Sequence, residues 1–280
     1  MPFLDFILNL VGLLLWCSWR LVGLSESARP GALSLASTLK RAEPRRAPSW
    51  PPLLGVLALL LLRGLFYWLS GPAMHWTPML SLGAVTLHFR VERLGLAVLF
   101  STLSFLRWLA VLYAWLLLLA MVTRRLADPG PVRKILDAQV GPLARFPVGL
   151  QLLLVPVLAT LLWWMCHRPL SWLGLVALAP SETTVWRQGL ALGLGVCLTW
   201  RYPIVVLLAV HAFNSQVYVG RSVWWDFAAA CGRHLLQPFR GLNLRMGRID
   251  LAPLVAIALV LIGAHYAERG LALLFERPVG

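Results

Sequence analysis

The chain has 280 residues, of which 59% are apolar and only 13% are charged, and its mean hydropathy is +0.76. Soluble domains are about half apolar and about a quarter charged, so this composition excludes a soluble enzyme fold and predicts an all-α, polytopic membrane helical bundle. The net charge of +14 would suggest nucleic acid binding in a soluble protein. In a membrane protein it indicates basic cytoplasmic loops and anionic lipid headgroups, so no nucleic acid is expected.

A transmembrane helix needs about 20 mostly apolar residues. Six stretches meet this requirement, in chain order Phe3–Trp19, Leu53–Leu69, Leu94–Val122, Val148–Cys166, Gln188–Val217 and Leu251–Ala267. In the first of them Asp5 and Asn9 are four residues apart, so they share one face of the predicted helix. That polar face is expected to contact protein rather than lipid.

The basic residues between the spans alternate along the chain. The six segments that follow the spans hold 6, 2, 5, 2, 5 and 2 Lys and Arg residues, and the remaining three lie inside spans. Loops rich in Lys and Arg stay on the cytoplasmic side of a membrane. The pattern therefore predicts a multi-pass protein of the cell inner membrane with both termini outside the cytoplasm. The first basic segment, Arg20–Pro52, is rich in Ser, Pro and Arg and is predicted to be an irregular loop that can touch anionic headgroups.

The second and third thirds of the chain resemble each other. A shift of 94 residues places Val91–Ala97 over Val185–Ala191 and Arg107 over Arg201. Each copy would contain a long span, a basic segment and a second span. Because two spans return the chain to the same side of the membrane, the two copies are predicted to be parallel. The predicted divisions are an N-terminal region at 1–93, a first repeat at 94–187 and a second repeat at 188–280.

Each copy also contains a short, basic, amphipathic segment between its two spans. These segments are Pro129–Val140 and Arg221–Leu236, and the second carries Trp224, Trp225 and Phe227. Such segments are typical of helices that lie in the membrane interface on the cytoplasmic side. The alternative is a pair of docked loops.

Two runs in the last third of the chain carry a family resemblance. The run His234–Arg240, followed by Gly247–Val255, resembles the signature of the YggT (YlmG) family, in which a segment with Pro and Arg precedes a Gly-x-x-Asp-Leu-Ser-Pro entry into a span. Ala252 stands where the family has Ser. The first copy keeps Pro142 and Arg145 but has Leu153 near the position of the Asp.

The resemblance implies a small integral membrane protein with two tandem repeats and without catalysis. Bacterial members of the family are linked to cell division, osmotic stress and potassium uptake, and plastid members to cytochrome assembly and nucleoid distribution. The implied partners are therefore other membrane or division proteins. No cofactor is implied.

The motif residues also have a direct physical interpretation. Asp250 can cap the last span, because its carboxylate can accept hydrogen bonds from free N–H groups at the positive end of the helix dipole. Pro253 falls in the first turn, where its missing N–H does no harm. Arg240, Arg245 or Arg248 can pair with Asp250. The alternative role for these residues and Pro238 is a site for a partner or a lipid headgroup.

Ionisable and polar residues inside spans are candidates for function by default. Arg107 and Arg201 occupy equivalent positions in the two copies, where they either extend outward from the lipid or face each other and attract an anion or a lipid phosphate. His211 and Asn214 share one face of the fifth span, which either lines an aqueous path or holds helices together. Arg63 is expected to extend to the interface or to pair locally.

Motifs of catalysis are absent from the sequence, which has no zinc-protease His-Glu-x-x-His, no phosphate-binding loop and no nucleophile elbow. Cys231 and His234 are ligand-type residues without a second pair, so no metal is predicted. The leading hypothesis is a non-enzymatic scaffold or assembly factor in envelope organisation or cell division. The alternative is an ion channel or transport component linked to osmotic adaptation. A homodimer would suit a bundle of six short spans.

Overall fold

A computed structural model of the chain describes residues 2–27, 50–71, 77–83, 85–90, 92–124, 130–141, 143, 146–177, 179, 181–216, 222–239, 245–246 and 249–276. Helices account for most of these residues, which confirms the all-α prediction. The helices are α1 (Pro2–Ser27), α2 (Pro51–Ser70), α3 (Leu94–Thr123), α4 (Gly130–Val140), α5 (Val148–Trp172), α6 (Glu182–Leu198), α7 (Arg201–Gln216), α8 (Val223–Leu235) and α9 (Ala252–Glu276).

The described part of the chain contains six stretches that are long and apolar enough to cross a membrane. They are Phe3–Leu21, Pro51–Ser70, Leu94–Thr123, Val148–Trp172, Glu182–Gln216 and Ala252–Leu273. Each overlaps one predicted span, so the prediction of a multi-pass membrane protein is confirmed. Large apolar side chains on these helices are exposed, among them Leu62 and Met165, as expected of surfaces that face lipid.

The fifth predicted span, Gln188–Val217, is interrupted, so the prediction of one continuous helix is wrong. A two-residue turn at Thr199 and Trp200 separates α6 from α7. The physical reason is Pro203, which has no N–H to donate to the carbonyl of Thr199 and whose ring would clash with that carbonyl in an unbroken helix. Two tryptophans support the turn, because Trp115 Nε1 donates to Thr199 Oγ1 and Trp200 Nε1 donates to the Ala114 carbonyl, both at 3.0 Å.

Two short antiparallel hairpins were not predicted. Strands β1 (Met79–Ser81) and β2 (Thr86–His88) pair with Leu80 opposite Leu87, and both of these leucines are buried. Gly83 lies in their connecting turn with φ of +84°, a conformation that glycine adopts without steric cost. The second hairpin pairs β3 (Arg245–Met246) with β4 (Ile249–Asp250), directly before α9.

The chain divides into two compact units. Unit 1 contains residues 1–78 and 90–109, and unit 2 contains residues 79–89 and 110–280. Helix α3 contributes its first half to unit 1 and its second half to unit 2. In unit 1, α1 contacts α2, and Gly64 of α2 lies directly against Val98 of α3.

Unit 2 is held together by close helix pairs. Helix α5 packs along α6, and α7 packs against both α8 and α9. Two glycines four residues apart on α6 allow this close approach: Gly189 lies against Thr160, and Gly193 lies against the backbone of Pro156. Helices α4 and α8 contact each other, and both lie in the segments predicted to form amphipathic helices.

Candidate functional site

A buried cluster of polar side chains joins the three helices of unit 1. Asp5 and Asn9 come from α1, Arg63 and Tyr67 from α2, and Ser104 from α3. Each pair within a helix is four residues apart, so its members lie on one face. The prediction that the Asp5 and Asn9 face contacts protein is confirmed, since Asn9 is only 1% exposed and both side chains bind Arg63.

The guanidinium of Arg63 is at the centre of this cluster and is 0% exposed. Nη2 donates to Asp5 Oδ1 at 2.8 Å and to Ser104 Oγ at 3.0 Å, and Nη1 donates to Asn9 Oδ1 at 2.8 Å. Nε donates to the Tyr67 hydroxyl at 3.1 Å. Every nitrogen of the guanidinium therefore has an acceptor within unit 1.

The acceptors of Arg63 are also connected to one another. The Tyr67 hydroxyl donates to Asp5 Oδ1, and Asn9 Nδ2 donates to Ser104 Oγ at 3.2 Å. The rings of Tyr67 and Phe100 lie 5.5 Å and 5.9 Å from the guanidinium carbon, within the range of cation–π attraction. A charge that is neutralised by a carboxylate and hydrogen-bonded at each of its nitrogens is compatible with burial in a membrane. Chemically, the cluster fastens three helices together.

Arg107 lies in α3 within the same unit and is half-buried. Its guanidinium is close enough to Asp5 for electrostatic attraction. Asp5 therefore lies near the charge of Arg107 as well as that of Arg63. The predicted encounter of Arg107 with Arg201 stays a prediction.

Sequence reasoning identified Asp5, Asn9 and Arg63 but did not connect them, and it missed Tyr67 and Ser104. The signal that could have connected them is charge balance. Arg63 and Asp5 each carry a charge in an apolar span, and a bilayer favours pairing of such charges. Tyr67 could then have been found because it lies four residues from Arg63, on the same face of α2.

The family-motif residues lie at the start of α9 and in the segment before it. Asp250 Oδ1 accepts a hydrogen bond from the backbone N–H of Ala252 at 3.0 Å, which satisfies one of the free donors at the N-terminus of α9. Pro253 is buried in the first turn of that helix, as its position in the sequence predicts. Arg240 and Arg248 lie outside the described residues, so their pairing with Asp250 stays a prediction.

Pro238 lies in a 3₁₀ turn (Gln237–Phe239) that follows α8. This turn borders an open groove in unit 2 with a volume of about 540 Å³, formed with the end of α3 and the start of α5. Most of the groove is lined by Leu, Val and Met side chains, and His234 and Gln237 provide the polar ones.

Arg201, the first residue of α7, is paired within unit 2. Its Nη1 lies 2.6 Å from Glu268 Oε1 of α9, and its Nη2 donates to the Tyr202 hydroxyl at 2.8 Å. The guanidinium also lies 4.8 Å from the centre of the Tyr202 ring. The charge of Arg201 thus links α7 to α9.

The polar face of α7 contacts α8. Trp225 Nε1 donates to Asn214 Oδ1 at 3.1 Å, and His211 lies directly against Gly232, where an added Cβ would come within 2.5 Å of the His211 Cβ. Ser215 donates to the carbonyl of Ala212 in its own helix. Both His211 and Asn214 are therefore positioned where they hold α8 against α7.

Cys231 of α8 lies in an apolar cluster with Leu118, Val122 and Leu207 and is 0% exposed. Burial raises the pKa of its thiol to about 12, because the thiolate form is poorly solvated there. At pH 8 the thiol is therefore almost entirely protonated, and alkylating reagents act on the thiolate.

We expect Cys231 to resist maleimide in the folded protein at pH 8. The measurement is the rate of labelling in a variant that keeps Cys231 and has the other cysteines replaced by Ala. A matched variant that carries Ser222→Cys instead of Cys231 should react quickly, because residue 222 is exposed just before α8. Labelling of Cys231 at the same rate as residue 222 would contradict its burial.

Within the described part of the chain, no three His, Cys, Asp or Glu side chains lie close enough together to hold a metal ion. All four cysteines are free thiols.

Comparison with known proteins gives no identification. No family model matches the chain, and neither a curated protein nor a solved structure matches it.

Proposed function

We propose that the protein is a non-enzymatic membrane scaffold or assembly factor of the YggT type. The observation that carries this proposal is the pairing of charged side chains within the spans: Arg63 with Asp5, and Arg201 with Glu268. Charges in a membrane are costly, and those that serve transport face a cavity or a substrate. In this protein the paired charged side chains are hydrogen-bonded to side chains of other helices. This supports a structural role rather than transport.

The surface proposed to meet partners is helix α8 with the segments beside it. Val223 and Trp224 at the start of α8 are 53% and 62% exposed, and Asp226 and Arg233 are exposed on the same short helix. Exposed Trp beside charged residues is typical of membrane interfaces and of the energetic centres of protein interfaces. The alternation of Lys and Arg along the chain supports a cytoplasmic position for this surface and a non-cytoplasmic position for both termini.

The alternative proposal, an ion pathway near Arg107, Arg201, His211 and Asn214, has less support. Arg201 is already neutralised by Glu268, and Asn214 already accepts from Trp225. An anion would have to displace Glu268 before it could bind Arg201. The contacts therefore favour the scaffold over the pathway.

The test is photo-crosslinking in living cells with a photoreactive amino acid at position 224. Position 172 is the matched control, because Trp172 is also a highly exposed tryptophan, at 84%, and ends α5. We expect reproducible crosslinks from position 224 to defined membrane or division proteins and none to the same proteins from position 172. The same crosslinked proteins from both positions would contradict the proposed surface. Crosslinks from position 224 only to a second copy of this chain would contradict binding of other proteins there and would indicate a homodimer contact.

A further inference from the structure

The open groove in unit 2 is bounded by the end of one span and the start of the next. Met121 and Val122 line it from the last turn of α3, and Val148 and Leu152 line it from the first turns of α5. Leu152 is four residues from the start of α5, which corresponds to about 6 Å along the helix axis. The groove therefore begins at the ends of two apolar helices that are long enough to cross a membrane and extends along them.

The lining of the groove has two chemical characters. The α3 and α5 walls are apolar, whereas His234 and Gln237 are polar and come from the end of α8 and the 3₁₀ turn. Gln237 is exposed, so it lies at the open side of the groove. The volume of about 540 Å³ is within the range of about 300–1,000 Å³ in which proteins hold small ligands.

The sequence that adjoins the lining residues is strongly basic. Segment 123–147, between α3 and α5, and segment 218–250, which contains α8 and the 3₁₀ turn, together hold ten Lys and Arg residues and four Asp and Glu residues. Two of these arginines are described and exposed: Arg124 directly follows α3, and Arg233 precedes His234 in α8. Arg124 is positioned by a hydrogen bond of 2.8 Å from its Nη1 to the carbonyl of Phe146, just before α5.

We propose that this groove binds an anionic phospholipid of the adjacent leaflet, with an acyl chain along Met121 and Leu152 and the phosphate beside the basic residues and His234. An apolar groove that is long enough for part of an acyl chain and adjoins sequence of net positive charge is complementary to such a lipid. A zwitterionic lipid has no net charge, so it would gain only the apolar contacts. The proposal goes beyond the scaffold role and does not require any protein partner.

The test is native mass spectrometry of the full-length protein after exchange into mild detergent with added lipid. The probes are phosphatidylglycerol and phosphatidylcholine with identical acyl chains, together with glycerol phosphate, which has the headgroup charge but no chain. We expect phosphatidylglycerol to be retained about tenfold more strongly than phosphatidylcholine, corresponding to about 1.4 kcal/mol, and glycerol phosphate not to be retained. Equal retention of the two lipids would overturn the proposal.

A pair of variants locates the site. Leu152→Trp would fill the groove, whereas Leu153→Trp adds the same bulk at the next residue of α5, which is 61% exposed and is not part of the lining. We expect Leu152→Trp to lower phosphatidylglycerol retention about tenfold, because it displaces roughly two methylene groups of the chain. Leu153→Trp should leave retention unchanged. An equal effect of the two variants, or none, would overturn the assignment to this groove even if the wild type prefers the anionic lipid.

Discussion

Replacement of Arg63 by Met is expected to lower the free energy of unfolding by about 3 kcal/mol. The substitution removes the ion pair with Asp5 and leaves the Oδ1 atom of Asn9, a residue that is only 1% exposed, without the donor it has in Arg63. Arg63→Lys should fall between the wild type and Arg63→Met, because an ammonium keeps the charge but cannot reach all four acceptors in the planar geometry of a guanidinium. The measurement is thermal or denaturant unfolding in mild detergent.

Leu62→Met is the matched control for Arg63→Met. Leu62 is the neighbouring residue of α2 and is 65% exposed, so its replacement should change stability by no more than a few tenths of a kcal/mol. The double variant Asp5→Asn with Arg63→Met should lose less unfolding free energy than the two single variants lose together, because both substitutions remove the same interaction. An Arg63→Met protein as stable as the wild type would show that the cluster does not hold the three helices.

The substitution Gly193→Ala is expected to destabilise unit 2 by about 2–3 kcal/mol. A Cβ at this position would lie 2.4 Å from the Cα of Pro156 and 2.9 Å from its carbonyl oxygen, so α6 would have to move away from α5. The neighbouring Gly189 would lose contact with Thr160 by the same movement. The measurement is again unfolding in mild detergent.

Gly195→Ala is the control, because this glycine lies two residues further along α6 with open space around its Cβ position. There the substitution should stabilise the helix by up to about 1 kcal/mol, as Ala has the higher helix propensity. Opposite signs for the two variants are expected from the close packing of α5 and α6. Equal effects would indicate that the two helices separate easily.

The spans were predictable from composition because a bilayer requires about 20 apolar residues of any helix that crosses it. The ends of the spans were less predictable. Helix α5 continues to Trp172, six residues past the predicted end at Cys166. His167 and Arg168 lower the local hydropathy there without breaking the helix. The break at Thr199 was predictable in principle from Pro203, and hydropathy alone could not reveal it. The first hairpin also has a signal in the sequence, because the apolar residues Val85, Leu87 and Phe89 alternate with Thr86 and His88.

The connections between distant residues were not predictable from one sequence. Arg63 and Asp5 are 58 positions apart, and Arg201 and Glu268 are 67 apart; periodicity relates residues within a helix but does not determine which helices become neighbours. Arg63 was expected either to extend to the interface or to pair locally. It pairs with another helix, because three small or polar residues of α1 and α3 leave space for its guanidinium there.

The most direct test of the scaffold account is potassium and chloride flux into proteoliposomes that contain the purified, folded protein. Wild type is measured beside Arg201→Leu and Asp250→Asn, with empty vesicles as the baseline. Because Arg63 and Arg201 are each paired with a carboxylate of another helix, we expect no flux above empty vesicles for any of the three. Flux in the wild type that disappears in Arg201→Leu and persists in Asp250→Asn would contradict the account and would identify a pathway beside α7.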